Sequence, residues 1–423
     1  MAGSTAISDS LAARFHRPAA SDLSRRFFFL VDAIARDHEP TATQLERLAS
    51  SYEGTADFLA SRDEFADLLI KIHPHGSRQL GTMVRPLRTS TDGFDVDLIA
   101  LLSSDARGRY LTHGGPASLI NDFYWALKGY ADYHGMTIRR WERCVTLGYA
   151  DGMSADIAPV IEAPLLSAPF GDTHALIPDR AVMKYESTNP QGYAKHFDQA
   201  AAISPVFRER IVVAKAMDSA DRAEVVPLAN ADEVFNRLLC RFVQLLKLHR
   251  NSKFSVSAEL KKLTPTSVFV TTLAALAYAR LAPVQHDSPL DLLLDMVKMM
   301  PNLFHRTTLL NGAEEWNLPN PSAPKDNLAS AMNNQGKQEA FEGWIGVLAH
   351  DLGKLHEAVD RNLGNDVLIS IVGSAFGARS ASTLKAELTS ARESNRVAGR
   401  VALVTATAAT RTLPARAHNF HGD

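Results

Sequence analysis

GSRQLGTMVRPLRTSTDGFDVDLIALL, residues 76–102, is the stretch that decides how this chain is read. It opens with Gly76-Ser77, runs through a polar loop and ends in an apolar run, Val96, Leu98, Ile99, Ala100, Leu101 and Leu102, that has the character of a buried strand. Asp95 and Asp97 stand at the head of that run, separated by one residue. On a strand, residues two apart point to the same face, roughly 7 Å from each other. Two carboxylates held together there repel and are costly to leave unpaired, so a cation is the simplest account of them. Gly76-Ser77 offers backbone N–H groups and a hydroxyl where a phosphate can sit. The combination predicts Mg2+-dependent chemistry on a nucleoside triphosphate.

A third carboxylate is needed to hold two metal ions, because two-metal phosphoryl-transfer sites bridge ions about 4 Å apart with carboxylates. Asp156, in GMSADIAPVI, is the one charge inside the apolar strand candidate 154–161. An aspartate so placed either faces water at an edge or is held by a cation. Asp151 belongs to an Ala-Asp-Gly turn and needs no function to explain it. In the resulting triad Asp95 and Asp97 hold the ion on the nucleotide phosphates. Asp156 joins them on the second ion, beside the attacking hydroxyl, whose proton it can accept. Read without function, Asp95 and Asp97 are a solvated strand start after the turn Thr91-Asp92-Gly93; the neighbouring Gly-Ser favours the functional reading.

The rest of the chain frames this site. Its 423 residues suffice for a bilobed unit or two to three domains, and a hydrophobic content of 46% with 22% charged residues is ordinary for a globular protein. A net charge of -2 argues against nucleic-acid binding by bulk electrostatics. Cys144 and Cys240 lack metal-ligand spacing and are expected to be buried thiols without a bridge. No apolar stretch reaches membrane-spanning length and the N-terminus lacks a secretion signal, so a cytoplasmic protein is expected.

Helical spacing marks 22–37 and 41–70, then a helix around 116–134 with Leu119, Phe123, Leu127 and Tyr130 on one face. Strand candidates are 95–102, 136–147 and 154–161. Later helices are expected at 233–250, 267–282, 288–300, 325–360 and 382–400, with a Pro/Asn-rich break at 317–327 and a loose tail after about 403. Helices followed by a few strands predict an α+β core rather than a βαβ array. The expected units are a helical arm (1–70), a catalytic core (71–230), a helical lobe closing the cleft (231–402) and a tail (403–423).

The order Gly76-Ser77, Gly81-Thr82, Asp95-Val96-Asp97-Leu98 and Asp156 resembles the polymerase-β-like nucleotidyltransferase superfamily. Within it, GSxxxGT…DVDL is similar to the cGAS/DncV-like nucleotidyltransferases of bacterial anti-phage (CBASS) signalling, over most of residues 20–400. The resemblance implies a bilobed polymerase-β-like fold, with a small mixed sheet and helices in the core and a helical C-terminal lobe. It also implies two Mg2+ ions per site, with Mn2+ able to substitute, and nucleoside triphosphates as substrates. It further implies a monomer needing no nucleic-acid activator, with CBASS accessory proteins as partners. By the same resemblance, Lys247 in LLKLHR contacts the donor triphosphate and Ser267 in PTSVFVTTL meets a phosphate at a helix start. Without it, Lys247 is a solvated helix lysine and Ser267 a plain N-cap. Many relatives place a base-stacking aromatic after that serine; here the residue is Val268, with Phe269 displaced by one. The loop 188–193 also resembles one in the family and is assigned no chemistry. His73, His75 and His249 show no metal spacing, so no zinc site is expected.

The implied activity is condensation of nucleoside triphosphates into a cyclic di- or trinucleotide with release of pyrophosphate. Two alternatives stay open: nucleotide transfer to an RNA end, a protein or a small molecule, and an inactive nucleotide-binding scaffold.

Overall fold

The computed structural model describes residues 38–85, 94–111, 114–150, 152–207, 238–361, 363–397, 400–404 and 410–414, together with residues 30, 31, 34 and 35. Most of the expected helix 22–37, the first part of 233–250 and the chain beyond 414 lie outside them.

Helix α1 (Ala42–Ala60) opens on a capping box, in which the Thr41 hydroxyl accepts from Gln44 N–H and the Gln44 side chain accepts from Thr41 N–H. Strand β1 (Leu69–Pro74) follows, then the single-turn α2 (Gly76–Gln79) and β2 (Asp95–Leu102). After α3 (Ala106–Tyr110), α4 (Gly115–Tyr133) crosses the sheet. It buries Leu119, Ile120, Phe123, Leu127 and Tyr130, the stripe that helical spacing predicts. Strands β3 (Thr137–Arg140), β4 (Val145–Gly148), β5 (Ser154–Glu162), β6 (Ala175–Asp179) and β7 (Lys184–Thr188) complete a seven-stranded mixed sheet. Its path is β1-β2-β5-β4-β3, with β6 on β5 and β7 on β6; β2 and β5 run parallel, and the other pairs are antiparallel.

The predicted strand 136–147 is two strands joined by the turn Trp141–Cys144, where Trp141 N–H donates to Cys144 O at 2.9 Å. The alternation on β2 separates two faces. Val96, Leu98, Ala100 and Leu102 pack under α4 with Ala155 and Ile157 of β5. Ile99 and Val160 meet Ala175 on the opposite face, which is the face Asp95, Asp97 and Asp156 share.

The second half is helical. Helix α5 (Pro190–Ala201) leads to α6 (Leu238–Phe254), α7 (Ala258–Lys262), α8 (Ser267–Leu281), α9 (Pro289–Met299), α10 (Gln335–Asp360), α11 (Asn365–Phe376) and α12 (Ala378–Val397). The helix expected at 382–400 is α12, which starts four residues earlier; α11, not expected from the sequence, precedes it, and the two meet at Gly377, whose φ of +98° only glycine takes without strain. The long helix begins at Gln335, because residues 325–334 form a loop and a 3-10 turn, and an antiparallel hairpin (305–308 with 314–317) precedes it. Residues 400–404 pair with 410–414, so a strand pair forms where a loose tail was expected. Helix α6 is not amphipathic: Leu238–Phe242 apart from Cys240, and every residue from Val243 to Arg250, are buried, polar side chains included. A helix buried all round is the spine of its lobe. No helix among the described residues is long and apolar enough to cross a membrane.

Candidate active site

The parallel pairing of β2 with β5 sets Asp97 directly opposite Asp156, and Asp95 opposite Ser154. Three carboxylates thus gather at the heads of two adjacent strands. Their crowding shows in Asp97, whose pKa is pushed up to about 6 by burial first, then by Asp156, and less by Asp95, against an opposing pull from Lys247. Hydroxyls hold the other two: Ser154 Oγ donates to Asp95 Oδ1, and Thr146 Oγ1 donates to Asp156 Oδ1. In these rotamers no three Asp, Glu, His or Cys side chains converge closely enough to hold an ion, among the described residues.

The turn before β2 lies against this cluster. His75 N–H donates to Asp97 O at 2.8 Å, which fixes α2 beside the carboxylate. Gly76 has φ +56°, and a Cβ there would stand 3.1 Å from Asp97 Cγ and nearer still to Oδ2. The position therefore requires glycine twice, for its backbone and for the space above Asp97. Gly76→Ala is expected to lower turnover by on the order of 10²-fold, the scale on which a misplacement of about 1 Å costs rate. A steady-state assay beside a melting curve checks this: lost activity with the fold retained supports the close approach, and unchanged turnover refutes it.

Helix α6 supplies the facing wall. Lys247 is 4% exposed and donates from Nζ to Thr82 O and Thr82 Oγ1, both at 3.1 Å. Thr82 N–H in turn donates to Ser77 O at 2.9 Å, so the GSxxxGT segment is clasped by the lysine. Burial first, and then Arg250, pulls the Lys247 pKa down to about 7, while Asp97 pulls it back up. The lysine is no solvated helix residue; it is buried, with Asp97 near enough to act on its charge. Arg250, one turn further along α6, is 7% exposed and donates from Nη1 to Pro265 O at 3.0 Å and Ser267 Oγ at 3.1 Å. Ser267 is the exposed first residue of α8, while the N-cap position belongs to Thr266. Gly76 thus stands against Asp97 and Lys247 acts on it from α6, while Ser77 is tied to Thr82 through its carbonyl and Ser267 to Arg250 on the same helix wall.

Phe269 does not take over the missing stacking role. It is fully buried among Phe304, Trp316 and Phe341, while Val268 is 40% exposed. His249 is a core residue: Trp344 Nε1 donates to its Nδ1, leaving Nε2–H for Asp351. His73 is tied to Pro74 O and Gln191. Cys144 is half-buried near the acids, and burial, then Asp156 and Asp97, pushes its thiol up to about 12, so it stays protonated. The loop 188–193, to which no chemistry was assigned, joins the lobes: Asn189 caps α5 and donates from Nδ2 to Ser322 O at 2.9 Å. Sequence reading noted Thr82 only as part of the GT pair, without a role, and missed Thr146, Ser154 and Arg250, whose roles follow from which strands and helices pack together.

The donor set fits a divalent cation. Carboxylate oxygens are hard ligands suited to Mg2+, and the like-charge crowding on Asp97 is what a cation would relieve. Asp95, Asp97 and Asp156 could hold it.

A mixed sheet with acids at the heads of two parallel strands, closed by a helical lobe, is the architecture of a nucleotidyltransferase. Residues 31–200 match the model of the Second Messenger Oligonucleotide or Dinucleotide Synthetase domain. A c-di-GMP synthase from Roseivirga ehrenbergii is 27% identical over 331 residues, covering 76% of this chain and 78% of that one. Two solved structures share the fold. The Bradyrhizobium diazoefficiens CD-NTase CdnG in complex with GTP has TM-score 0.61 and 20% identity, covering 88% of this chain and 100% of that one. The E. coli CdnC:HORMA-deltaN complex has TM-score 0.55 and 15% identity, covering 83% and 97%. Residues 31–200 thus carry the signature of a second-messenger oligonucleotide or dinucleotide synthetase domain, and over most of its length the chain is similar to nucleotidyltransferases that make cyclic oligonucleotides.

Proposed function

We propose that this chain condenses two GTP molecules into a cyclic dinucleotide, releasing two pyrophosphates, as a signal in anti-phage defence. The observation that carries the reading is the Asp97–Asp156 pair with Asp95 beside it, covered by the Gly76 turn and faced by buried Lys247. The choice of GTP is supported by the c-di-GMP synthase relative and by the GTP bound to the Bradyrhizobium neighbour.

The chemistry divides among the residues. Lys247 and the Gly76-Ser77 backbone receive the donor triphosphate, with Ser267 at its outer end. Asp156 accepts the proton of the acceptor ribose hydroxyl, whose oxygen attacks the α-phosphorus as pyrophosphate leaves. Asp95 and Asp97 would hold Mg2+ with Asp156; the ion, when bound, neutralises phosphate charge and acidifies the attacking hydroxyl. The two lobes align hydroxyl and phosphorus, which converts a bimolecular encounter into a positioned one. A second pass in the same cleft closes the ring. The chain acts as a monomer without a nucleic-acid activator.

Purified protein incubated with the four NTPs and Mg2+ is expected to release a product with the mass of cyclic di-GMP, resistant to phosphatase. The Asp95→Ala/Asp97→Ala variant yields none and gives no protection in a phage-plating assay. Label that appears only on added RNA or protein would replace this reading with transfer to another acceptor. Protection that persists in the double variant would make the chain a scaffold.

A further inference from the structure

The turn Trp141–Cys144 between β3 and β4 reaches the candidate active site, and nothing in the motif reading uses it. Trp141 is 45% exposed, an unusual place for an indole on a strand turn. Its Nε1 donates to Thr146 Oγ1 at 2.8 Å, and Thr146 Oγ1 is bonded to Asp156 Oδ1. The direction of this chain is fixed by chemistry. An indole N–H can only donate and a carboxylate can only accept, so the threonine hydroxyl must accept from Trp141 and donate to Asp156. Without the indole the hydroxyl rotor has other options; with it, the proton has one destination.

The support behind Trp141 is rigid. Arg180 Nε donates to Trp141 O at 2.9 Å and Arg180 N–H donates to Glu142 O at 3.0 Å. Arg143 bridges Asp179 at 2.8 Å and Glu186 at 2.6 Å. The β3–β4 turn is therefore clamped on the β6–β7 turn, and Trp141 is held at its rim. Asp156 Oδ1 is occupied by this chain, while Oδ2 accepts no hydrogen bond among the described residues. A carboxylate pinned by one oxygen keeps the other aimed, and outer hydrogen bonds of this kind govern how well such a group works.

We propose that Trp141 is a positioning residue for the nucleotidyl transfer: through Thr146 it fixes the rotamer of Asp156, so that the free oxygen meets the acceptor hydroxyl. The inference rests on the role given to Asp156 under the proposed function.

The test is a double-mutant cycle on the full chain with GTP and Mg2+, with GTP affinity measured separately by calorimetry. W141F and T146V are each expected to lower kcat about tenfold, within the range for outer-shell partners, with KM and GTP affinity within about twofold of wild type. The double variant should fall no further than the worse single, because the two residues act as one unit. Thr146→Ser, which keeps the hydroxyl, should return most of the rate. Wild-type kcat in W141F, or losses that multiply in the double variant, would overturn the proposal, as would a rate unchanged in T146V. Asp156→Asn separates the two levels. An active Asp156→Asn enzyme removes the catalytic reading itself. An inactive one beside a normal W141F removes only the role of Trp141.

Discussion

Asp97→Asn is expected to abolish synthesis and, at the same time, to stabilise the metal-free fold. Turnover should fall by on the order of a thousandfold, the scale of removing one preorganised electrostatic group from a reaction centre. Stability should move the other way because Asp97 is held at an energetic cost. Its pKa is pushed up to about 6 from 3.8 by burial and by the charges of Asp156 and Asp95. A carboxyl whose folded pKa lies above its unfolded value binds its proton more tightly when folded. Its stabilising contribution is full below pH 3.8 and is lost as pH rises through about 6. The shift corresponds to roughly 2–3 kcal/mol, reduced somewhat by the solvent that still reaches the side chain. In EDTA, the wild type should therefore melt about one to two degrees lower at pH 8 than at pH 5, because roughly half of the shift, about 1.4 kcal/mol, lies above pH 5, and Asp97→Asn should lack that increment. Added Mg2+ should raise the melting temperature of the wild type and leave the variant unmoved, since a ligand stabilises only the fold that binds it. A variant that is inactive but less stable than wild type at pH 8 in EDTA would show that Asp97 is structural support and not a strained site.

The legible part of this protein was the part governed by local alternation. Asp95, Asp97 and Asp156 stand out because each interrupts an apolar strand, and α4 because its apolar stripe repeats at helical spacing. The register that sets Asp97 opposite Asp156 was not legible, since strand pairing is decided by contacts across the whole fold. The break at Trp141–Cys144 was hidden because both flanking segments are β-like and the hydrogen bond that closes the turn leaves no compositional mark. Phe269 shows a different limit. On a helix buried on most sides, spacing cannot say which aromatic faces a substrate and which fills the core. Lys247 was found by motif, yet its physics ran against the sequence pattern. A lysine on a helix is normally solvated, and this one is buried because Thr82, 165 residues away, supplies its acceptors.

That burial gives the second large effect. In the free enzyme Lys247 titrates near pH 7, drawn down by burial and by Arg250. On the role proposed for Lys247, a triphosphate binds the ammonium form and raises this pKa on binding. Below pH 7 the lysine is already charged and the affinity is at its full value. Above pH 7 each binding event must take up a proton, so KM for GTP should rise on the order of tenfold per pH unit until the pKa of the bound state is reached. Lys247→Met, close in volume and without charge, should raise KM at pH 7 by roughly 10–100-fold, the worth of a charge-assisted hydrogen bond. It should also flatten the rise of KM with pH. Calorimetry in two buffers of different ionisation enthalpy provides an independent reading: the wild type should take up close to one proton per GTP at pH 8 and the methionine variant none. A KM that stays flat across pH 7–9 in the wild type, with no proton uptake, would mean that Thr82 rather than the triphosphate is the permanent partner of Lys247. The lysine would then be a clasp between the two lobes, and the donor phosphates would have to be held from the side of Ser267.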